Sequence, residues 1–245
     1  MENNNWSFNS IQQRSTVETQ PITKTFMAGV FSWMGIALAI SAVTAYVFGT
    51  DLSYLQYLIN LETGKMSGLG YVVMFAPIGF VLLMSFGFQK LSSTALSALF
   101  LIYSVVMGMS LSFVFLAYTT ASVYVIFSVS AAMFGFMALV GYTTKTDLTK
   151  MGSLLMMALV GIIIAALVNM FLRSDTMSYI ISFISVIVFT GLTAYDVQKL
   201  KEIGSTTEAG TEATAKISIL GALTLYLDFI NLFLALLRLF GSRRD

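Results

Sequence analysis

Two aspartates in the C-terminal third of the chain are the residues best placed to do chemistry. Asp228 lies in the middle of an apolar run, LTLYLDFINLFLALL, and Asp196 ends the preceding apolar run, ISVIVFTGLTAYD. A carboxylate at the centre of a membrane helix costs at least about 2.5–3.5 kcal/mol. A chain keeps such a group when the group has a partner, or when its function is to bind or move a proton or a cation. We therefore place the candidate site at these two residues.

If the helices bring the two acids together, their chemistry is specific. Two carboxylates in a poorly solvated site cannot both ionise cheaply, so the pair titrates as a unit and holds one proton over a broad pH range. The singly protonated pair forms a strong hydrogen bond that fixes the two helices together. The fully ionised pair repels itself and attracts a divalent cation, so electrostatics favours an ion flux that rises with pH. Relief of a separate latch elsewhere in the bundle would reverse that sign.

The same residues predict a weak Ca²⁺ site. Ca²⁺ takes about six to eight oxygen ligands. Only part of that shell is available here, from backbone carbonyl groups and four side chains: Asp196, Asp228, Asn231 and Thr224. Weak binding suits passage or gating rather than storage, and the sequence indicates no tightly bound cofactor.

Both acids lie on polar faces of their predicted helices. The face of the last helix has residues at alternating spacings of three and four: Gly221, Thr224, Asp228, Asn231, Ala235 and Arg238. The preceding helix contributes a rougher face of Ser182, Ser185, Phe189, Thr193 and Asp196. Small and polar residues do not favourably face lipid, so we expect the polar face of the last helix to point inward. One alternative is a packing seam in which Asp228 is a hydrogen-bonded structural residue. The other is an interfacial Asp196 paired with Lys199 or, less readily, with Lys201.

Composition sets the class of protein before any motif is considered. The chain has 245 residues, of which 57% are hydrophobic and only 10% are charged, with a net charge of +1. Charged residues make up about 25% of an ordinary globular domain, so this is a polytopic membrane protein. The charge gives no indication of nucleic-acid binding. Because the chain has neither Cys nor His, disulfides, thiolate or imidazole metal ligands and Ser-His catalysis are excluded. Any pH sensing must come from carboxylates.

Uncharged stretches between charged residues divide the chain into an all-α bundle of seven membrane spans, since about 20 apolar residues cross the hydrocarbon core. A polar N-terminal tail, predicted to be flexible, covers residues 1–23, the membrane domain covers 24–241, and a short basic tail covers 242–245. We predict helices over residues 25–49, 67–89, 92–117, 121–143, 151–172, 177–200 and 216–240.

Lysine and arginine placement predicts the orientation. One side of the membrane holds eight basic residues: Arg14, Lys24, Lys90, Lys145, Lys150, Lys199, Lys201 and Lys216. The other side holds Lys65 and Arg173, joined by Arg238, Arg243 and Arg244 if the last helix crosses fully. The N-terminus is therefore expected in the cytoplasm. A last helix that turned back within the bilayer would satisfy the charge rule better, but neither Gly nor Pro marks a break near Asp228, so we favour seven full crossings.

Three segments resemble the Bax inhibitor-1 family, the transmembrane Bax-inhibitor-motif proteins. They are LFLIYSVVMGMSLSFVFLAYT at 99–119, TGLTAYDVQKLK at 190–201 and LYLDFINLFLALLRLFG at 225–241. The third is the most specific, because an acid, an Asn and an Arg at fixed spacing in an apolar helix are improbable by chance. The resemblance spans residues 24–241 and fits the bacterial branch best, which implies the inner (plasma) membrane.

The resemblance implies a seven-helix bundle whose C-terminal helix is central and enclosed by the other six. It also implies a pH-sensitive calcium leak in which two aspartates on helices 6 and 7 share a proton. The matching positions here are Asp196 in AYDVQK and Asp228 in LYLDFIN. The implied partners are the bilayer, Ca²⁺ and protons, with a membrane-protein partner left open.

One position departs from the family pattern. Bacterial relatives often carry an arginine near the end of helix 2, where it can pair with the helix 6 aspartate. The present chain reads MSFGFQKLS there, with Gly87 and the more terminal Lys90. Lys90 is the candidate substitute for the arginine latch.

Three other functions compete for the same residues. A proton-coupled cation transporter would use the pair as a relay, although we find no internal repeat that would support one. A regulatory membrane protein acting on a membrane partner is compatible with the sequence. An intramembrane aspartyl protease fits Tyr195-Asp196, but Asp228 lacks the expected Gly-x-Gly-Asp setting, and no Pro-Ala-Leu segment follows it. We therefore predict that the chain is not an enzyme.

Overall fold

The computed structural model describes residues 6–60, 63–208 and 210–244, with side chains from residue 23 onward. These residues form helices and two isolated β-bridges. The helices are α1 (Trp6–Thr50), α2 (Leu52–Leu58), α3 (Gly68–Gly87), α4 (Ser93–Leu111), α5 (Val114–Ala117), α6 (Thr120–Thr143), α7 (Thr149–Leu172), α8 (Asp175–Thr206) and α9 (Glu212–Phe240).

Seven spans within the described residues are long and apolar enough to cross a membrane. They are Thr23–Thr50, Gly68–Gly87, Ser93–Ala117, Thr120–Thr143, Thr149–Leu172, Asp175–Thr206 and Glu212–Phe240. The predicted all-α, seven-span membrane fold is therefore confirmed. The predicted flexible tail lies largely outside the residues whose side chains are described, and it stays a prediction.

Hydroxyl side chains begin most of the helices. Five of them accept a hydrogen bond from the backbone N–H three residues further on, which satisfies one of the free donors of the first turn: Ser67, Ser92, Thr119, Ser174 and Thr211. The cap at Thr211 starts α9 at Glu212, before the predicted residue 216. At the preceding helix end, α8 continues past the predicted residue 200 to Thr206, because its basic residues lie in a helical end that extends beyond the apolar span.

The C-terminal helix α9 is the most buried of the described spans. In its most apolar window 72% of the residues are buried, against 44% for α8 and 33% or less for the others. It packs against α1, α4, α6 and α8. Aromatic rings fill part of this contact, with the Phe229 ring 5.3 Å from that of Phe127 and 5.6 Å from that of Phe134 between centroids. This burial is what a central position for α9 predicts.

A buried polar link joins α9 to two of its neighbours. The Ser41 hydroxyl of α1 donates a 2.7 Å hydrogen bond to the carbonyl oxygen of Ser104 in α4. The Tyr226 hydroxyl of α9 lies 2.7 Å from the same Ser41 oxygen. A hydroxyl has one proton, so Tyr226 must be the donor in the second bond. The link thereby fixes the relative positions of α1, α4 and α9 in an apolar interior.

The two ends of α9 lie at opposite ends of the bundle. At its start, the Glu212 carboxylate accepts a 3.4 Å hydrogen bond from the Ser93 N–H, at the beginning of α4. After its end, the Arg244 N–H donates to the Ala117 carbonyl, and the Thr119 N–H donates to the Ser242 carbonyl, both at 3.0 Å. The C-terminus thus pairs with the turn that follows α5, at the far end of the Ser93–Ala117 span. The α9 helix is continuous between these contacts, as a full crossing requires.

Candidate functional site

A cavity of about 620 Å³ lies between α7, α8 and α9 and holds both predicted acids. The α7 wall is apolar, whereas α8 and α9 contribute the polar groups. The polar lining residues are Ser182, Ser185, Asp196, Thr224, Asp228, Asn231 and Arg238. The two helices whose polar faces the sequence identified therefore share one cavity.

Asp196 and Asp228 lie against each other across the α8–α9 contact. Their carboxyl groups are close enough for a hydrogen bond. The Asp228 side chain is only 5% exposed, and Asp196 is half-buried. Two carboxylates cannot hydrogen-bond each other unless one of them carries a proton. A hydrogen bond across this contact therefore requires one proton on the pair.

One oxygen of the pair still needs a partner. The Oδ2 atom of Asp228 is buried, and no N–H or O–H group of the described residues donates to it. A buried oxygen in this position is expensive to leave unsatisfied. The partner of this oxygen must be a proton on the pair, a water molecule or a cation in the cavity.

The early start of α9 explains how the two acids reach the same level. Along the helix axis, Asp228 is about 24 Å from Glu212 and about 18 Å from Phe240, at about 1.5 Å per residue. Asp196 is about 15 Å from Thr206 at the end of α8. The first turns of α9 carry the Glu212–Lys216 ion pair at 3.7 Å, which suits a helix end outside the hydrocarbon. The two depths match because α9 extends beyond the apolar core at this end.

The supporting residues on α9 also line the cavity. Asn231 donates a 2.8 Å hydrogen bond from Nδ2 to the Leu227 carbonyl, which leaves its amide oxygen available to the cavity. Thr224 donates to the Leu220 carbonyl at 3.1 Å and keeps its acceptor lone pairs. Arg238 lies at the opposite end of this face from Thr224 and is exposed. Thr224 and Asn231 thus contribute neutral oxygen atoms to the cavity lining, and Arg238 contributes a guanidinium group toward the end of α9.

Two predicted site residues do not line the cavity. Thr193 is buried and donates to the Phe189 carbonyl at 2.7 Å. Lys90 is exposed beyond the end of α3 and forms no ion pair with either aspartate among the described residues. The nearby cation that acts on Asp196 is Lys199, whose Nζ lies 5.9 Å from the Tyr195 ring centroid. The Lys90 latch is not formed in this structure and stays a prediction.

No sequence pattern indicated the third wall of the cavity. Met156, Ile163 and Met170 of α7 line it, together with other apolar residues of that helix. A helix with a uniformly apolar sequence presents no face that distinguishes a cavity wall from a lipid contact. The α7 helix packs against α8 and has only 6% of its most apolar window buried.

The acid pair offers few oxygen ligands to a cation. Within the described residues, no group of three or more acidic side chains comes together. Two carboxylates and two neutral oxygen atoms leave a Ca²⁺ shell of about six to eight oxygens largely to water and backbone.

Together, these features define a seven-span membrane protein with a carboxyl pair in a cavity between α7, α8 and α9. A family model described as "Inhibitor of apoptosis-promoting Bax1" matches residues 23–245. The chain belongs to this family, the Bax inhibitor-1 family, as its sequence motifs predicted.

Curated relatives match along nearly their whole length. The chain is 45% identical to "Inner membrane protein YbhL" of Escherichia coli K12 over 231 residues, which is 94% of this chain and 97% of the relative. It is 44% identical to an uncharacterized protein of Borreliella burgdorferi over 224 residues, covering 91% and 94% of the two chains. An uncharacterized membrane protein of Streptococcus pyogenes serotype M6 is 36% identical over 217 residues, covering 88% and 92%.

Proposed function

We propose that this protein is a pH-sensitive calcium leak of the bacterial inner membrane, gated by the proton that Asp196 and Asp228 share. The observation that carries the proposal is the contact between these two carboxyl groups inside a cavity of about 620 Å³. A structural role alone would be met more cheaply by Thr or Asn, since either would pack in a membrane helix without a charge.

The gating step follows from charge. With one proton on the pair, a carboxyl–carboxylate hydrogen bond holds α8 and α9 together and closes the path. With no proton, two like charges in contact repel each other and attract a divalent cation into the cavity. The leak therefore opens as pH rises. Asn231 and Thr224 supply neutral oxygen ligands beside the pair and hold the ion only weakly, so that it can leave again.

Two other functions are less well supported. A proton-coupled transporter would use the same pair, but the continuous α8 and α9 helices lack the central breaks that form many transporter sites. A protease would need backbone close to the second acid, whereas Asp228 follows Tyr226 and Leu227 in an unbroken helix. We therefore propose transport without catalysis. A regulatory partner in the membrane is compatible with the leak.

The proposed location rests on the similarity to YbhL, and the proposed orientation rests on the distribution of basic residues. YbhL is named as an inner membrane protein, and the N-terminal side of the bundle holds eight of the 13 basic residues. We infer a cytoplasmic N-terminus and an external C-terminus.

Single cysteines test this orientation, because the native chain has none. In intact cells, a membrane-impermeant maleimide is expected to label Ser242→Cys and to label Glu208→Cys only after the membrane is opened. The reverse order would invert the proposed orientation. Labelling of both positions from the same side would contradict a full crossing by α9.

Calcium flux into proteoliposomes tests the function itself. The native protein is reconstituted, and Ca²⁺ uptake is followed with an internal dye from acid to mildly alkaline pH, with protein-free vesicles as the baseline. Uptake above baseline that rises with pH is expected. Uptake at baseline throughout would overturn the calcium leak and favour the transporter or the regulatory protein.

A further inference from the structure

A second cavity, of about 610 Å³, lies at the N-terminal end of the bundle, away from the aspartate pair. It is enclosed by the start of the first span, the end of α6, the loop over residues 144–148 and the last turns of α8. Three lysines from three of these elements line it: Lys24, Lys145 and Lys201. The leak mechanism uses none of them.

The loop wall of this cavity is fixed by a buried glutamine. Gln198 is 8% exposed, and its side chain makes two hydrogen bonds to the loop backbone. Its Oε1 accepts the Leu148 N–H at 2.8 Å, and its Nε2 donates to the Thr146 carbonyl at 2.8 Å. A side-chain amide that satisfies both its donor and its acceptor holds the loop in one position against α8. Lys145 is thereby carried on a preorganised segment.

The second cation is also held in place. The Lys201 Nζ donates a 2.7 Å hydrogen bond to the Tyr142 carbonyl, near the end of α6. The same Nζ lies 5.1 Å from the centroid of the Tyr142 ring. The hydrogen bond uses one of the three N–H donors of Lys201, and no acceptor among the described side chains takes up the other two. Because the Lys201 side chain is half-buried and already held in place, it loses little conformational entropy when a ligand binds.

The two acids in the cavity do not neutralise the lysines by contact. Among the described residues, neither Asp147 nor Glu202 forms an ion pair with a lysine. The Asp147 carboxylate accepts a 2.9 Å hydrogen bond from the Thr149 N–H, at the start of α7. The pKa of Asp147 lies below its ordinary value because the Thr149 hydroxyl and N–H both hydrogen-bond to the carboxylate. Among the side chains that the structure describes, no carboxylate forms an ion pair with these three ammonium groups.

We infer that this cavity binds the phosphate group of an anionic phospholipid in the leaflet on the N-terminal side. Lys24 begins a membrane span and Lys145 follows the end of another, so the cavity lies at the level of the headgroups. Basic cavities between membrane helices at the cytoplasmic surface are suited to anionic headgroups. Lys24 and Lys145 are exposed and bind the phosphate directly, while Lys201 supplies a fixed donor at the back of the site.

Native mass spectrometry tests the inference on the full chain. The protein is extracted from vesicles of equal phosphatidylglycerol and phosphatidylcholine content, and the retained lipids are counted. The variants Lys24→Gln and Lys145→Gln remove charge without removing a contact that fixes the fold. Lys150→Gln is the matched control, because Lys150 is exposed at the same end of the bundle but does not line the cavity.

We expect the native chain to retain phosphatidylglycerol in preference to phosphatidylcholine. Each cavity variant should weaken retention about fivefold, and Lys150→Gln should leave it unchanged. A second arm titrates inorganic phosphate against protein in phosphatidylcholine nanodiscs and follows the unfolding temperature. Stabilisation that both cavity variants remove would support the phosphate site but assign it to a soluble phosphate instead of a headgroup. Equal retention of both lipids, with no effect of phosphate, would overturn the inference.

Discussion

Asp228→Asn is expected to abolish the pH dependence of calcium flux while leaving the bundle folded. Asparagine matches aspartate in size but cannot change its charge, so the pair no longer switches between a shared proton and two repelling charges. Two unit charges about 4 Å apart repel by about 4 kcal/mol at an effective dielectric constant of about 20. Losing that repulsion should reduce the pH-dependent change in flux by at least about tenfold.

Asp196→Asn should have the same effect, because replacing either aspartate removes one of the two carboxyl groups that share the proton. Asp175→Asn is the control, because Asp175 is an exposed acid in the first turn of the same helix, α8. Flux is measured in proteoliposomes over the same pH range for all three variants. A pH response that survives in either Asp196→Asn or Asp228→Asn would return that residue to a structural role.

Gly141→Ala is expected to destabilise the folded protein strongly. Gly141 is buried in α6, and a β-carbon at this position would collide with the backbone carbonyl oxygen of Ala194 in α8. The backbone cannot move aside as a flexible side chain can, so α6 and α8 must separate. Overpacking of this kind costs about 1–3 kcal/mol. Because α8 carries Asp196, the separation should also disturb the acid pair.

Gly135→Ala provides the matched control in the same helix. A β-carbon at Gly135 meets no atom within 4 Å. Replacing Gly with Ala in an open helix position is favourable by about 0.5–1 kcal/mol. Thermal unfolding in detergent should therefore place Gly141→Ala well below the native protein and Gly135→Ala at or above it. Equal midpoints for the two variants would mean that the close α6–α8 contact does not limit stability.

The sequence was sufficient to predict the seven-span membrane fold and to select Asp196 and Asp228 as candidate site residues. Charged residues delimit the apolar spans. An aspartate in the middle of LTLYLDFINLFLALL is so costly in a membrane helix that its position alone indicates a functional residue. The spacing of Thr224, Asn231 and Arg238 placed them on one face of α9, and that face lines the cavity. These predictions depend on local composition and helical period, which a single sequence contains.

Features that depend on packing between distant segments were not predictable. The sequence left open whether Asp196 and Asp228 lie at one depth, because that depends on the start of α9 at Glu212. Gln198 gave no sign that it holds the loop over residues 144–148, more than forty residues earlier in the chain. The apolar α7 wall and the distance of Lys90 from the pair likewise follow from how the helices assemble.

Infrared difference spectroscopy measures most directly whether Asp196 and Asp228 share one proton. The carbonyl stretch of a protonated carboxyl group is followed through a pH titration of the reconstituted native protein and of the two Asn variants. A single protonated-carboxyl band that titrates in the native protein, and that both Asp196→Asn and Asp228→Asn remove or shift, is the predicted result. A native spectrum without such a band, or a band unaffected by Asp196→Asn, would contradict a shared proton.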